Sequence, residues 1–328
     1  GGVVEPRSRN EVNRLLFHHH KMHQDSRLEN ETMALEHMRE LRDDFALRGR
    51  CEMFRVDLHS MAAAHQLHQG TSLRNHQVWA KLKHFQRLLT IRNIQPAEED
   101  EDILQFFREH HDPSIYMERH AMKRAEFRKL ISPLVRSGHL VQDYRGGFKT
   151  VEPLSGVDLW KVKRDYLREL VSDYPVISLR QVERLAGSPF SAEEISDVMH
   201  EFEEDGTLIK GFLVDDLQDI CWGRKDLLES LQGLRKSRDL VVPPSDNLIH
   251  YFGGILRERF SFGSAYMVFH KEEAIAAFKA NTRDGTIEIT DFVGDSDLEK
   301  EALRVMKEFA WEHDTKLTGK LYDKLRSR

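Results

Sequence analysis

One order of predicted elements occurs twice in this sequence and restricts the fold more than any other feature. In residues 101–152, apolar residues at three-to-four spacing predict three helices. Pro113 breaks the first helix from the second, and Gly138 ends the third. Two short β segments follow, on either side of a turn that contains Gly146 and Gly147. This stretch is therefore predicted to form three helices and a β-hairpin.

Residues 157–231 repeat that order. A first helix is followed by a short helix that closes at Gly187, and Ser191 with Glu194 forms a capping box that opens the third. Gly206 ends the third helix, and two further β segments come after it. A generic helical bundle would not place a hairpin after each third helix, so the repeated order predicts tandem winged helices.

The residues before this repeat are predicted to be helical and are rich in histidine. Apolar residues at three-to-four spacing predict amphipathic helices over Thr32–Leu47 and Asn75–Leu89. The acidic run that follows Pro96 is the predicted boundary with the next region.

The residues after the repeat change character. Asp284-Gly285 is a hairpin turn between two predicted strands, and Ser296 is predicted to cap the last helix. The predicted strands are Ala265–His270, Ala274–Lys279 and Thr286–Phe292.

The fold class is thus α+β, with a helical N-terminal region, tandem winged helices and a C-terminal antiparallel β-rich module with a final helix. The predicted divisions are residues 1–100, winged helix 1 at 101–155, winged helix 2 at 156–238 and the module at 239–328.

Composition and missing motifs exclude several classes of protein. The two cysteines, Cys51 and Cys221, cannot form a disulfide scaffold or a Cys-rich zinc module. No phosphate-binding loop or dinucleotide fingerprint is present, so no cofactor and no metal is expected. The apolar runs are too short to span a membrane and no leader is evident, which predicts a cytoplasmic protein. The chain opens with Gly1 and not with Met, as a piece of a longer protein would.

The two predicted recognition helices differ in charge. The net charge of −6 excludes a wholly basic protein but not a local basic surface. Cations on a helix and its adjacent wing suit contacts with phosphates, so winged helix 1 is predicted to bind DNA or RNA. The third helix of winged helix 2 carries seven carboxylates and is predicted to pack against another domain or subunit. The predicted nucleic-acid-binding residues are Arg119, Lys123, Arg124, Arg128, Lys129, Arg136 and Arg145.

Three short segments resemble known families. Gly206–Phe212 with Cys221–Leu228 resembles the second winged helix in the C-terminal region of Lhr-type (large helicase-related) proteins, and Leu130–Thr150 resembles the winged helix before it. Pro243–Leu248 is similar to the segment that opens the β-rich module both in that region and in the AlkZ/YcaQ-type DNA glycosylases. The resemblance covers roughly residues 100–315.

The resemblance implies a nucleic-acid-binding accessory module of an Lhr-like helicase and DNA-repair system, with a helicase motor domain as a further partner. The acidic third helix of winged helix 2 predicts, as another partner, a second copy of the chain. One alternative is an AlkZ-like DNA glycosylase that excises a damaged base. That family uses a Gln-aliphatic-Gln or Gln-aliphatic-Asp pair in its N-terminal winged helix, and the nearest match here, Gln181-Val182-Glu183, lies in the second. A second alternative is a winged-helix transcription regulator.

Three further positions have two interpretations each. Asp246 follows two prolines and is the candidate catalytic carboxylate of the glycosylase alternative, but a turn that orders the chain is favoured. The His18–His20 run with His23 has the spacing of metal ligands, yet lacks a nearby carboxylate or thiol, which favours solvated histidines. Trp222 could stack on a base, but a tryptophan on a strand is more typical of a core.

Overall fold

The computed structural model describes residues 5–52 and 56–328, and it confirms the mixed α+β fold class. The N-terminal region contains both helices and strands. Its elements are α1 (Arg9–His19), α2 (Glu31–His37), α3 (Asp44–Arg48), α4 (Leu58–His65), β1 (His68–Thr71), β2 (Gln77–Ala80) and α5 (Leu82–Arg92).

Both predicted amphipathic helices of this region are correct only in part. The first divides into α2 and α3, because the chain turns extended at Met38 and Asp43 starts a new helix by accepting a hydrogen bond from the Ala46 N–H. The second begins only at Leu82. Before it, Asn75 takes a positive φ in the turn of the β1–β2 hairpin, a conformation that asparagine tolerates better than most residues.

Winged helix 1 consists of three helices and a wing, as predicted from the sequence. They are α6 (Glu101–Glu109), α7 (Pro113–Arg119) and α8 (Arg124–Ser137), and the wing is β3 (Leu140–Asp143) with β4 (Phe148–Thr150). Phe107, Phe127 and Phe148 pack together inside them, so this unit has its own core. Gly138 ends α8 in the left-handed region, at φ +87°.

The wing of this unit also pairs with the N-terminal region. Strand β3 lies between β4 and β1 in a four-stranded sheet of order β2-β1-β3-β4, with His68 opposite Asp143. Gly70 on β1 makes this close packing possible, because a Cβ there would lie 2.7 Å from Phe85 and 2.9 Å from Val141. The predicted division at residue 100 therefore separates strands that one sheet joins.

Winged helix 2 adds a strand between its first two helices. Its elements are α9 (Leu159–Ser172), β5 (Val176–Ser178), α10 (Leu179–Ala186), α11 (Ala192–Glu204), β6 (Leu208–Gly211) and β7 (Cys221–Arg224), followed by α12 (Lys225–Ser230). The three strands form a sheet of order β5-β7-β6. The predicted capping box is present: Ser191 Oγ accepts from the Glu194 N–H at 3.1 Å, and the Ser191 N–H donates to Glu194 Oε1 at 3.0 Å.

The C-terminal module is a five-stranded sheet packed against helix α15. Its elements are β8 (Leu240–Val242), α13 (Leu248–Tyr251), α14 (Gly253–Arg259), β9 (Tyr266–His270), β10 (Glu273–Arg283), β11 (Thr286–Gly294), α15 (Glu299–Glu312), β12 (Lys316–Thr318) and α16 (Lys320–Arg326). The strand order is β12-β11-β10-β9-β8, and only the β11–β12 pair is parallel among the described strands of this sheet. The helix predicted from Ser296 is preceded by a short 3₁₀ turn and is not the last element, because β12 and α16 follow it.

One apolar core joins three of the regions. Phe17 of α1 contacts Phe269 of β9 edge to face, with ring centroids 4.9 Å apart, and Phe252 lies 5.0 Å from Phe269. Residues of winged helix 2, among them Val171 and Val182, belong to the same buried cluster. The N-terminal region, winged helix 2 and the module therefore pack as one body, and a cleft opens where they meet.

Candidate nucleic-acid interface and central cleft

A groove lies between helix α8 and the wing of winged helix 1. Phe127 and Ile131 of α8 point into the core, which places Arg124 and Arg128, one helical turn apart, along the open side. Arg145 faces them from the wing turn, where the Asp143 carboxylate accepts from the Arg145 N–H at 2.8 Å and from the Gly147 N–H at 2.9 Å. The groove has a volume of about 750 Å³.

The seven cations predicted to bind nucleic acid are all exposed, and within the described chain none of them forms an ion pair with a carboxylate. Arg145 lies over its neighbour Tyr144 and donates to the Tyr144 hydroxyl at 2.9 Å, and Arg119 lies over the Phe106 ring. Three of the seven line the groove. The other four lie outside it: Arg119 on α7, Lys123 immediately before α8, and Lys129 and Arg136 on α8. Their charges are left for a partner to neutralise.

The carboxylates of helix α11 are used differently. Arg168 of α9 binds both Glu201 and Asp205, at 3.2 and 2.9 Å, and Lys163 binds Glu194. Glu203 accepts from the buried Trp222 Nε1 at 2.8 Å. Four of the seven acidic side chains therefore face donors of the same winged helix, and this explains how the helix tolerates so many like charges.

The central cleft is lined by residues of the N-terminal region, winged helix 2 and the C-terminal module. It has a volume of about 140 Å³. Its polar side chains include His20, His37, Arg39, Glu40, Arg42, Arg50, Arg74, His76, Asp173, Tyr174, Asp246 and His250. Most of these positions follow no local sequence pattern, because segments far apart in the chain bring them together.

Asp246 lies in this cleft as one half of a buried ion pair. Arg50 binds both carboxylate oxygens, with Nη2 2.9 Å from Oδ1 and Nη1 in contact with Oδ2. The Asp246 Oδ1 also accepts from the Leu248 N–H at 2.9 Å, which forms the turn that opens α13. The side chains of Arg50 and Asp246 are 5 % and 1 % exposed. The catalytic candidate thus links the N-terminal region to the module, and its oxygens are already occupied.

Asp173 is a carboxylate in the same cleft that sequence reasoning missed. It follows the last residue of α9, so its charge lies at the negative end of the helix dipole. Solvent reaches 46 % of its side chain, and the nearest cation is Arg39, at 3.8 Å. The cleft walls still exclude part of the bulk water around the carboxyl, and this partial burial raises the pKa of Asp173 to about 6. The positive charge of Arg39 lowers this pKa, and the negative charge of Glu169 raises it further.

The histidine run is not a solvated cluster. His23 is fully buried, and its Nε2 bonds to the Arg235 carbonyl at 2.8 Å while its Nδ1 accepts from the Asp25 N–H. His20 lines the central cleft, where burial holds its pKa well below the usual value. The favoured interpretation is therefore wrong for these two residues. Among the described residues, no group of three or more His, Cys, Asp or Glu side chains could hold a metal ion.

The Gln181-Val182-Glu183 segment does not form a pair of side chains facing the cleft. Gln181 completes a capping box with Ser178 at the start of α10, and its Nε2 donates to the Tyr251 carbonyl at 3.1 Å. Val182 is fully buried and Glu183 is exposed on the other side of the helix. These residues therefore explain the local structure of winged helix 2 without a role in chemistry.

The fold combines tandem winged helices with a C-terminal β-rich module, and a cleft lies where winged helix 2 meets the N-terminal region and the module. The solved structure of the DNA glycosylase AlkZ from Streptomyces sahachiroi has this fold: the TM-score is 0.66, and the match covers 96 % of this chain and 100 % of that chain at 9 % sequence identity. At that identity the likeness shows the fold alone. No family model and no curated protein matches the sequence. Within the described residues, no helix is both long and apolar enough to cross a membrane.

Proposed function

We propose that this protein binds DNA in a DNA-repair process and that winged helix 1 contacts the phosphates. The observation that carries the proposal is the set of exposed cations on α7, α8 and the wing, none of which is paired with a carboxylate in the described chain. The likeness of the fold to a DNA glycosylase supports the same class of function. Winged helix 2, with its acidic third helix, would be repelled by a duplex and is not part of this surface.

The test is duplex binding with charge-reversed variants, measured by fluorescence anisotropy at low salt. Arg124→Glu with Arg128→Glu places two carboxylates on the groove and should weaken binding at least tenfold. Lys300→Glu with Lys307→Glu is the matched control, since it changes the net charge equally on the exposed face of α15. Equal losses in both variants, or no binding by the unaltered protein, would contradict the proposal. RNA and unrelated duplex sequences serve as competitors that separate a repair protein from a sequence-specific regulator.

Base excision is the second candidate, and Asp173 is the observation that favours it. Excision requires a carboxylate or amide that positions water or stabilises a cationic sugar beside a pocket for the flipped base. Asp173 is accessible to a ligand in the central cleft, whereas the oxygens of Asp246 are held by Arg50 and the Leu248 N–H. We infer that, if this protein excises a base, Asp173 is the better-placed carboxylate and Asp246 acts as its structural support.

This candidate is tested by alkaline cleavage of duplexes that carry uracil or an alkylated base. Excision would appear as alkali-labile sites at the lesion, lost in Asp173→Asn and retained in a folded Asp246→Asn protein assayed at low temperature. Loss in Asp246→Asn alone would assign the chemistry to Asp246 instead. An accessory role beside a helicase motor is a proposal that rests on the sequence resemblance, and self-association through winged helix 2 is a proposal that rests on its acidic third helix. Co-purification with such a motor tests the first proposal, and measurement of the molar mass in solution by light scattering tests the second.

A further inference from the structure

The mouth of the central cleft holds cationic and imidazole side chains that the proposals above do not use. Arg42 and Arg74 line the cleft and, within the described residues, neither is within ion-pairing distance of a carboxylate. Among the described residues, Arg42 donates to the Pro244 carbonyl alone, at 3.3 Å. Arg74 Nη1 is buried and has no hydrogen-bond partner. A buried guanidinium donor without a partner is costly, and an acceptor oxygen of a ligand in the cleft would remove that cost.

Two histidines complete the cluster. The rings of His76 and His250 stack with centroids 5.3 Å apart and planes 13° from parallel, and both line the same cleft. His250 Nε2 is buried without a hydrogen-bond partner. Arg184 lies behind His250 and donates to its carbonyl at 3.2 Å. Burial, with these neighbouring cations, lowers the pKa of His250 to about 3.

Three carboxylates near this cluster are engaged elsewhere, and a fourth carboxylate, Asp173, lies in the same cleft with Arg39 as its nearest cation. Asp246 binds Arg50, and Glu40 binds His84 at 2.9 Å. Asp43 accepts from the Ala46 N–H and from the Ser245 hydroxyl, so its oxygens serve the start of α3. The cluster therefore has an excess of donors and positive charge, which an oxyanion would neutralise.

We propose that Arg42, Arg74, His76 and His250 form a phosphate-binding site at the mouth of the central cleft. A phosphate group offers several acceptor oxygens in a compact tetrahedron, and these can meet donors that converge from β1–β2, α13 and the segment before α3. A phosphodiester of a strand entering the cleft is the ligand that agrees with the proposed function, on which the choice of a nucleic acid rests. The site itself does not depend on winged helix 1.

The test uses two probes, inorganic phosphate and the trinucleotide TpTpT without terminal phosphates, measured by isothermal titration calorimetry. Arg74→Gln should weaken the binding of either probe at least tenfold. Arg39→Gln is the matched control, because Arg39 lines the same cleft but is already paired with Glu169. The Arg74→Gln protein should unfold at no lower a temperature than the unaltered protein, since it loses no ion pair.

The outcomes separate this site from the proposed function. Binding of TpTpT that depends on Arg74 supports a strand phosphate, and binding of inorganic phosphate alone supports the site with a free phosphate as its ligand. Arg124→Gln with Arg128→Gln should leave both probes unaffected while it weakens duplex binding. If the duplex is not bound but the probes are, the proposed function fails and this site stands. Absence of binding of both probes at millimolar concentration, or equal binding by the Arg74→Gln protein, would overturn the proposal.

Discussion

The buried pair of Arg50 and Asp246 provides the sharpest test of how the cleft is built. Asp246→Asn removes the negative charge but leaves Arg50 in place, where it is 5 % exposed and still donates to the Ala46 carbonyl at 3.1 Å. Breaking a buried pair by removing one partner typically costs about 3–5 kcal/mol, because the remaining charge is uncompensated. The amide can keep the hydrogen bond from the Leu248 N–H, so we expect a loss in that range and not beyond it.

The assay is equilibrium unfolding in urea, followed by circular dichroism. Glu308→Gln is the control, because Glu308 pairs with Arg304 at the surface and is 55 % exposed; about 0–1 kcal/mol is expected there. The double variant Arg50→Met with Asp246→Leu removes both charges and should recover most of the stability lost in Asp246→Asn. A cost for Asp246→Asn no greater than that of Glu308→Gln would refute the view that this pair holds the N-terminal region on the module.

Three further predictions concern single positions. His313 is 3 % exposed, and burial with nearby arginines lowers its pKa to about 3. The unfolded chain therefore binds this proton first, and the contribution of His313 to stability falls by about 1.4 kcal/mol per pH unit below pH 6.5. His313→Phe should reduce the pH dependence by that amount in urea titrations at pH 7 and pH 5, while other buried histidines such as His20 and His250 keep theirs. Gly70→Ala should cost about 1–3 kcal/mol by thermal unfolding, because its Cβ would overlap Phe85 and Val141; an unchanged melting temperature would contradict the close packing. Asp173→Asn should leave stability at pH 7 unchanged or slightly raised. The reason is that a carboxyl whose pKa is raised in the folded state destabilises that state once it is ionised. A marked loss of stability in the same thermal assay would contradict the placement of Asp173.

The winged helices could be predicted from the sequence because their signals are local. The capping box at Ser191, the helix end at Gly138 and the hairpin turns each depend on a few adjacent residues, and the structure has all of them. In the N-terminal region, the spacing of apolar residues alone does not separate a strand from a helix. There, Val78 and Ala80 alternate along a strand, and the same residues satisfy a helical spacing when counted together with the apolar residues of α5.

The sites depend on contacts that no local pattern records. Strand β1 pairs with β3 more than 70 positions later in the chain, and Arg50 reaches Asp246 across 196 positions. The cations of winged helix 1 could be proposed from the sequence because they lie close together in the chain, on two neighbouring helices and the wing that follows. Asp173 and Arg74 could not, since their importance comes from the partners that the folded cleft does or does not give them.

The salt dependence of duplex binding tests the central claim most directly. If winged helix 1 binds phosphates, the logarithm of the binding constant should fall linearly with the logarithm of the salt concentration, by about 0.9 for each phosphate contact. Neutral substitutions, Arg124→Gln with Arg128→Gln, should then make the slope shallower by about 2, whereas Lys300→Gln with Lys307→Gln should leave it unchanged. A slope that is the same in all three proteins would contradict the claim that this surface holds the DNA.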